Sequence, residues 1–250
     1  MDFLLMKLSH NNKIQLIFDL DDTLYDLADP FYKAHKEIFP DHPELDCNQL
    51  FLMSRIHADE ILHKEKEGLI PTEETLYLRI QRTYADVGIF PEKQVIDAFQ
   101  EQYRYYQKHI SLPEEIERLL DVCKALEIPM YILSNGKSIE QRNKIRALGL
   151  ERWFHEKEIF VTEEIGYLKP HIRAFKGVEE AIGAAPENIW YVGDTYAADV
   201  IGAKNAGWKV IWYNHRKRTV VENIADVTVE NAKELLNTIE SLDRISKQEV

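Results

Sequence analysis

The sequence specifies an α/β fold: a three-layer, Rossmann-like parallel sheet core interrupted by an inserted all-helical domain. Two observations carry this. From about residue 110 onward, short apolar runs rich in β-branched residues alternate with amphipathic helical stretches, the pattern of a parallel sheet with helices on both faces. Between Pro30 and about His109, apolar residues instead recur at helical spacing and no strand-like run interrupts them. The expected division is therefore 1–28 and 110–250 for the core and 29–109 for the helical insert.

The elements follow in order. "IQLIFDL" is a short apolar run and predicts a buried strand. In the insert, Phe31, Ile38 and Phe39, then Leu50, Met53, Ile56 and Ile61, then Leu76, Ile80 and Tyr84, then Val95, Phe99, Tyr103 and Tyr106 predict roughly four helices. Pro71 and Pro91 stand where helices would begin. After the insert, "PEEIERLLDVCKAL" predicts a helix, "IPMYILSN" a strand and "SIEQRNKIRALG" a helix stopped by Gly149. "EIFVTEE" predicts a short strand, "PHIRAFKGVEEAIG" a helix and "NIWYVGD" a strand. "AADVIGAKNAG" predicts a helix closed by Gly207, and "WKVIWYN" a strand. "ADVTVENAKELLNTIESL" reads as an edge strand and a last helix, with "DRISKQEV" as a frayed tail.

Composition narrows the function. The net charge of -12 argues against nucleic-acid polymers or anionic membrane surfaces as partners. A small anionic substrate is compatible with it if positive charge is gathered locally. Cys47 and Cys123 lack any zinc or CxxC spacing and read as two reduced thiols. "MDFLLMKLSHNNK" is too short and broken for a secretion signal, and no apolar run approaches the ~20 residues of a membrane span. The expectation is a soluble cytoplasmic protein, monomer or homodimer.

Chemistry is expected at the carboxyl ends of the strands, where open parallel sheets bind ligands. The first strand delivers Asp19 and Asp21, the second Ser134 and Asn135, the loop after the third Lys169, and the "NIWYVGD" strand Asp194 with Asp199 five residues on. "IFDLDDTLYD" also crowds Asp22 and Asp26 into the same stretch. Carboxylates this close repel one another, and a bound cation is the natural way to hold them together. Taken singly, each motif has an ordinary reading: an Asp turn, a Ser-Asn-Gly turn or cap, a Lys before Pro, a Gly-Asp loop start. Only the set, in order and on strand ends, points to a site.

That set resembles the haloacid dehalogenase superfamily, whose members include many aspartate-nucleophile phosphatases. The first motif stands as Asp19-Leu20-Asp21-Asp22-Thr23, the second as Ser134 in "YILSNG", the third as Lys169 in "GYLKP" and the fourth as Asp194 and Asp199 in "GDTYAAD". The insert resembles that family's helical cap between the first and second motifs. The resemblance implies a Mg²⁺-dependent phosphatase acting on a small phosphomonoester, of nucleoside monophosphate, sugar phosphate or phosphoglycolate type. It implies Asp19 as nucleophile and metal ligand, and Asp21 as acid and base with its backbone carbonyl on the metal. It further implies Ser134, Asn135 and Lys169 on the phosphate, Asp194 on the metal, and Asp199 on it directly or through water.

Competing readings are a 2-haloacid dehalogenase, which has no use for Asp21; a phosphomutase, which keeps all four motifs; and a non-enzymatic phosphoacceptor module, usually about half this length. Asp22 stands where relatives often carry Gly and is expected to be solvated or bonded to turn amides. Thr23 is expected to order the turn, Asp26 to be surface, and "HRKR" from His215 to Arg218 to be a solvated run. The insert histidines His35, His57 and His63 lack ligand spacing, and Tyr103, Tyr105 and Tyr106 read as packing.

Overall fold

The structure is a computed structural model that describes residues 14–71 and 74–248. The N-terminal stretch weighed above as a targeting signal lies outside the described residues. Within them the chain divides into two compact units, Leu27–Ile110 and the remainder on either side of it.

The larger unit is built on a six-stranded parallel sheet in the order β3-β2-β1-β4-β5-β6. Its strands are β1 (Gln15–Phe18), β2 (Met130–Ser134), β3 (Ile159–Val161), β4 (Ile189–Gly193), β5 (Lys209–Tyr213) and β6 (Val227–Val229). β1 is central, pairing Ile17 with Tyr131 on one side and with Tyr191 on the other. Leu16, Ile17 and Phe18 are accordingly fully buried, which is why this strand reads as a continuous apolar run. The chain builds outward from β1 to β2 and β3, then returns to lay β4 on the other flank of β1. Strand order reverses there, and the carboxyl ends of β1 and β4 open onto the crevice where such sheets bind ligands.

Helices α5 (Glu114–Ala125), α6 (Ser138–Ala147), α8 (Ile172–Ile182) and α10 (Ala232–Gln248) surround the sheet, with α7 (Thr162–Ile165) and α9 (Ile201–Asn205) as short pieces. The α8 helix buries Ala174, Phe175 and Val178 at helical spacing and ends at Gly183, whose φ of 65° suits glycine. Phe175 meets Trp208 edge-on at 5.3 Å between ring centres, closing the core beside Tyr191.

Three local expectations need correction. "EIFVTEE" is a strand only to Val161; Thr162–Ile165 turns helical and ends at Gly166, whose φ is 83°. The helix expected over "AADVIGAKNAG" starts as a wide π turn, Tyr196–Val200, before becoming α-helical. The expected frayed tail is helix to Gln248, because Asp243 is buried there and paired with Lys247 at 2.6 Å.

The smaller unit is helical: α1 (Asp29–Ile38), α2 (Cys47–Lys66), α3 (Thr75–Ala85) and α4 (Lys93–Lys108). Asp46 caps α2 by accepting from the amides of Asn48 and Gln49 at 2.9 and 3.1 Å. The interior is aromatic. Phe31 meets Phe51, Phe99 and Tyr103 edge-on, and Phe39 stacks on Tyr84 with centres 4.0 Å apart. His35 is buried in this core with its ring nitrogen 2.8 Å from the Tyr84 hydroxyl. Burial favours the neutral imidazole and lowers its pKa.

Candidate active site

The β1 backbone carries Asp19 one residue past the strand, where its amide still donates to Val192 of β4 at 2.8 Å. The side chain is thus aimed out of the sheet at the switch point. Asp194 leaves the end of β4, and Asp199 returns from the π turn. All three are buried, and each offers an oxygen within 4.8 Å of the others. Gly193 permits this. A Cβ there would sit 2.6 Å from an Asp199 oxygen, so any larger residue would push that carboxylate away.

Lys169 ties the cluster together. Its ammonium donates to Asp19 Oδ1 at 2.6 Å, to Asp199 Oδ1 at 2.7 Å and to the Tyr191 hydroxyl at 2.7 Å. The Tyr191 hydroxyl is itself positioned to donate to the Leu133 carbonyl at 3.1 Å. Burial opposes the charge of Lys169, but Asp19 and Asp199 outweigh it and hold the ammonium protonated, well above the ordinary lysine pKa. Burial also pushes Asp19 up. Lys169 offsets part of this, while the negative charges of Asp199 and Asp194 add to it. Asp194 is pushed up to about 6 by burial, then by Asp199 and Asp22, against the pull of Arg218. One lysine does not neutralise three buried acids.

The other expected residues take distinct places. Ser134 ends β2 with its hydroxyl buried and without a hydrogen-bond partner among the described residues. Asn135 spends both ends of its amide on the Lys169 main chain, accepting from its N–H at 2.8 Å and donating to its carbonyl at 3.1 Å. It therefore fixes the loop that presents Lys169 and the cis peptide to Pro170. Asp21 lies outside the carboxylate trio. Its side chain accepts from Lys144 Nζ at 2.7 Å, from Gln141 Nε2 at 2.9 Å and from the Tyr25 hydroxyl at 2.5 Å. Thr23 donates to Asp19 Oδ2 at 3.2 Å, ordering the turn as expected.

The reading of Asp22 as solvated or bonded to turn amides is overturned, and of the "HRKR" run only Lys217, its side chain 75% exposed, is the solvated residue expected; Asp26 is at the surface as expected, its side chain 43% exposed. Asp22 is 4% exposed, sits at φ 66° and receives the Arg216 guanidinium on both oxygens at 2.5 Å. Arg216 reaches Asp26 as well, at 2.6 Å, and Arg218 reaches Asp194 Oδ2 at 2.7 Å. Burial pushes Asp22 up, but His215 and Arg216 more than offset it and hold the carboxyl well below the usual range. The positive left-handed φ at Asp22 is one that glycine adopts without steric cost. An aspartate tolerates it, and here the ion pair favours keeping one.

Sequence reasoning missed Lys144, Gln141, Tyr191, Arg216 and Arg218. A signal existed for some of them. Gln141 and Lys144 are three apart, so they share a face of α6, and Gln141 is a fully polar residue on its buried side. "HRKR" is a rare basic run in an acidic chain, placed directly after a strand.

The residues present fit a divalent cation. Three convergent buried oxygen donors suit a hard ion, and Asp19 and Asp194 are raised by burial and then by the neighbouring acids, more than Lys169 and Arg218 offset. No helix among the described residues is long and apolar enough to cross a membrane.

Comparison with known proteins agrees with this geometry. The family model of the haloacid dehalogenase-like hydrolases matches residues 16–207. The chain is 27% identical over 223 residues to the glyceraldehyde 3-phosphate phosphatase of Methanothermobacter thermautotrophicus, covering 86% of this chain and 93% of that one. The crystal structure of the HAD-hydrolase YfnB from Bacillus subtilis, bound to magnesium, superposes with a TM-score of 0.65 at 25% identity, covering 91% and 98% of the two chains. The L-2-haloacid dehalogenase of Xanthobacter autotrophicus shares the fold at a TM-score of 0.62 and 18% identity, over 91% and 98% of the chains. The chain belongs to the haloacid dehalogenase-like hydrolases, and is an enzyme of that family.

Proposed function

We propose that the chain is a Mg²⁺-dependent phosphatase of small phosphomonoesters working through an aspartyl-phosphate. The observation that carries this reading is the trio Asp19, Asp194 and Asp199, an all-oxygen donor set that includes the candidate nucleophile Asp19. A dehalogenase displacing halide from carbon does not need three buried acids. The phosphatase relative from Methanothermobacter thermautotrophicus points the same way. The assignment of residues 29–109 as a specificity-bearing insert, and a cytoplasmic location, belong to the same proposal.

Asp19, Asp194 and the Asp21 backbone carbonyl would hold the cation, with Asp199 nearby, and the cation would offset the repulsion between anionic nucleophile and anionic substrate. Asp19 attacks phosphorus, forming a new P–O bond as the bond to the leaving oxygen breaks. Asp21 gives that oxygen a proton. It then takes one from the water that attacks phosphorus, releasing Asp19 and inorganic phosphate. Before it can act, Asp21 must exchange its bonds to Lys144 and Gln141 for the substrate. The unpartnered Ser134 hydroxyl donates to a phosphoryl oxygen, and Lys169 balances charge on the phosphate and Asp19. Asn135 acts through Lys169, by fixing its backbone.

The test is release of phosphate from p-nitrophenyl phosphate, then from a panel of phosphometabolites, with EDTA and with Mg²⁺ restored. Hydrolysis that stops with EDTA and returns with Mg²⁺ is expected. Full activity in metal-free buffer, or halide release from a 2-haloacid, would overturn the reading.

A further inference from the structure

Four arginines of the larger unit pair with acids. Arg142 meets Glu164 at 2.8 Å, Arg152 meets Asp121 at 2.7 Å, Arg216 meets Asp22 and Arg218 meets Asp194. Arg79, on α3 in the helical unit, is different. It is 9% exposed, and no carboxylate lies within ion-pair distance among the described residues. Its neighbours are neutral: it donates to Ser54 Oγ at 2.9 Å and stands 5.6 Å from the centre of the Tyr103 ring. Its Nε is buried without a hydrogen-bond partner.

A second donor points the same way. Gln100 lies one helical turn before Tyr103 on α4, is also 9% exposed, and has a buried Nε2 without a partner. A buried guanidinium without an anion is costly, and so is each unpaired buried N–H. The chain has 43 acids, so the missing partner does not reflect a shortage of them. Two unpaired donors, one of them positive and shaped as a planar fork, match the acceptor geometry of an oxyanion.

We propose that the helical unit contains an oxyanion-binding site formed by Arg79 and Gln100, with Ser54 and Tyr103 holding the guanidinium in place. It takes a carboxylate, phosphate or sulfate group. Both free donors are closed off in this conformation, so the anion enters as the packing around Tyr103 opens. The anion is a free ion of that chemistry.

The test uses inorganic sulfate on the full-length protein labelled with ¹⁵N, with sodium chloride at matched ionic strength as control. The buried Arg79 Nε–H is sheltered from exchange and so visible. Its resonance and that of the Gln100 side-chain amide should shift together and saturate with sulfate but not with chloride. Arg79→Gln should abolish the Gln100 response. Should that variant fail to fold, Gln100→Met should keep the fold and weaken sulfate binding about tenfold. Resonances that stay put, or that move equally with chloride, would overturn the proposal. This titration does not use hydrolysis, so its failure is separate from failure of the phosphatase reading.

Discussion

The strand-end cluster of the core and the aromatic interior of the helical unit both bury charge, with opposite signs. In the core, Asp19, Asp194 and Asp199 crowd together, and the chain brings Lys169 and Arg218 from distant segments to offset them in part. In the helical unit, Arg79 is buried with a hydroxyl and a ring, and no acid among the described residues pairs with it. Buried charge is expensive enough that a chain normally neutralises it. Where it does so incompletely, the deficit marks the sign of what is to be bound. The core lacks positive charge and fits a cation; the helical unit lacks negative charge and fits an anion.

That contrast can be broken at the core, starting with the nucleophile. Asp19→Asn should lower kcat by roughly 10⁴-fold or more while leaving the fold intact, since an amide cannot attack phosphorus. Turnover above about a tenth of wild type, with deamidation excluded by mass spectrometry, would reassign the nucleophile.

Asp21→Asn separates chemistry from charge balance. It should slow phosphoenzyme formation from an alkyl phosphate by ~10²–10⁴-fold and from p-nitrophenyl phosphate much less, because the phenolate leaves without a proton. Single-turnover rates are the measurement. Equal slowing of both would mean that Asp21 acts through geometry alone.

Asp22→Asn probes the in-chain half of the compensation. Asparagine tolerates φ 66° but cannot pair with the buried Arg216. The loss should be about 3 kcal/mol near neutral pH, the low end for a broken buried pair because Arg216 keeps Asp26. The folded pKa of Asp22 is depressed, so its contribution is present above the usual carboxylate range near pH ~4 and is lost as pH falls through the lowered value. Denaturant unfolding of both proteins should therefore show a gap that closes on acidification. A gap constant from pH ~7 to ~2 would exclude the ion pair as its cause.

Gly193→Ala sharpens the geometric claim with the smallest change. Its methyl would fall 2.6 Å from Asp199, so Mg²⁺ affinity should drop by about 10–100-fold with little effect on Asp19 itself. Calorimetric titration with Mg²⁺ checks it.

Much of the core was legible because its signals are local. A continuous apolar run such as β1 declares a strand buried on both faces, and acids at the ends of β1 and β4 declare the open edge of the sheet. Charge partners were not legible, because they depend on which loop folds back. Arg216 lies 190 or more residues from the acids it holds, so "HRKR" alone looked like any solvated basic run. Lys144 was hidden differently: one more lysine on a polar helix until the fold carried it to Asp21. Asn135 showed the right neighbourhood and a different partner, the Lys169 backbone. In the helical unit the spacing of apolar residues announced helices. That Arg79 would be buried with no acid beside it among the described residues could not be read from a helix in which it looks surface-polar.

The central claim, that the acidic trio is held for a divalent cation, is tested most directly by isothermal titration of the purified, EDTA-stripped protein with Mg²⁺, beside Asp194→Asn. The account predicts saturable one-site binding in the wild type and its loss in the variant, with the variant still folded. Mg²⁺ binding of equal strength in both proteins, or none in a wild type that still hydrolyses phosphomonoesters, would contradict it.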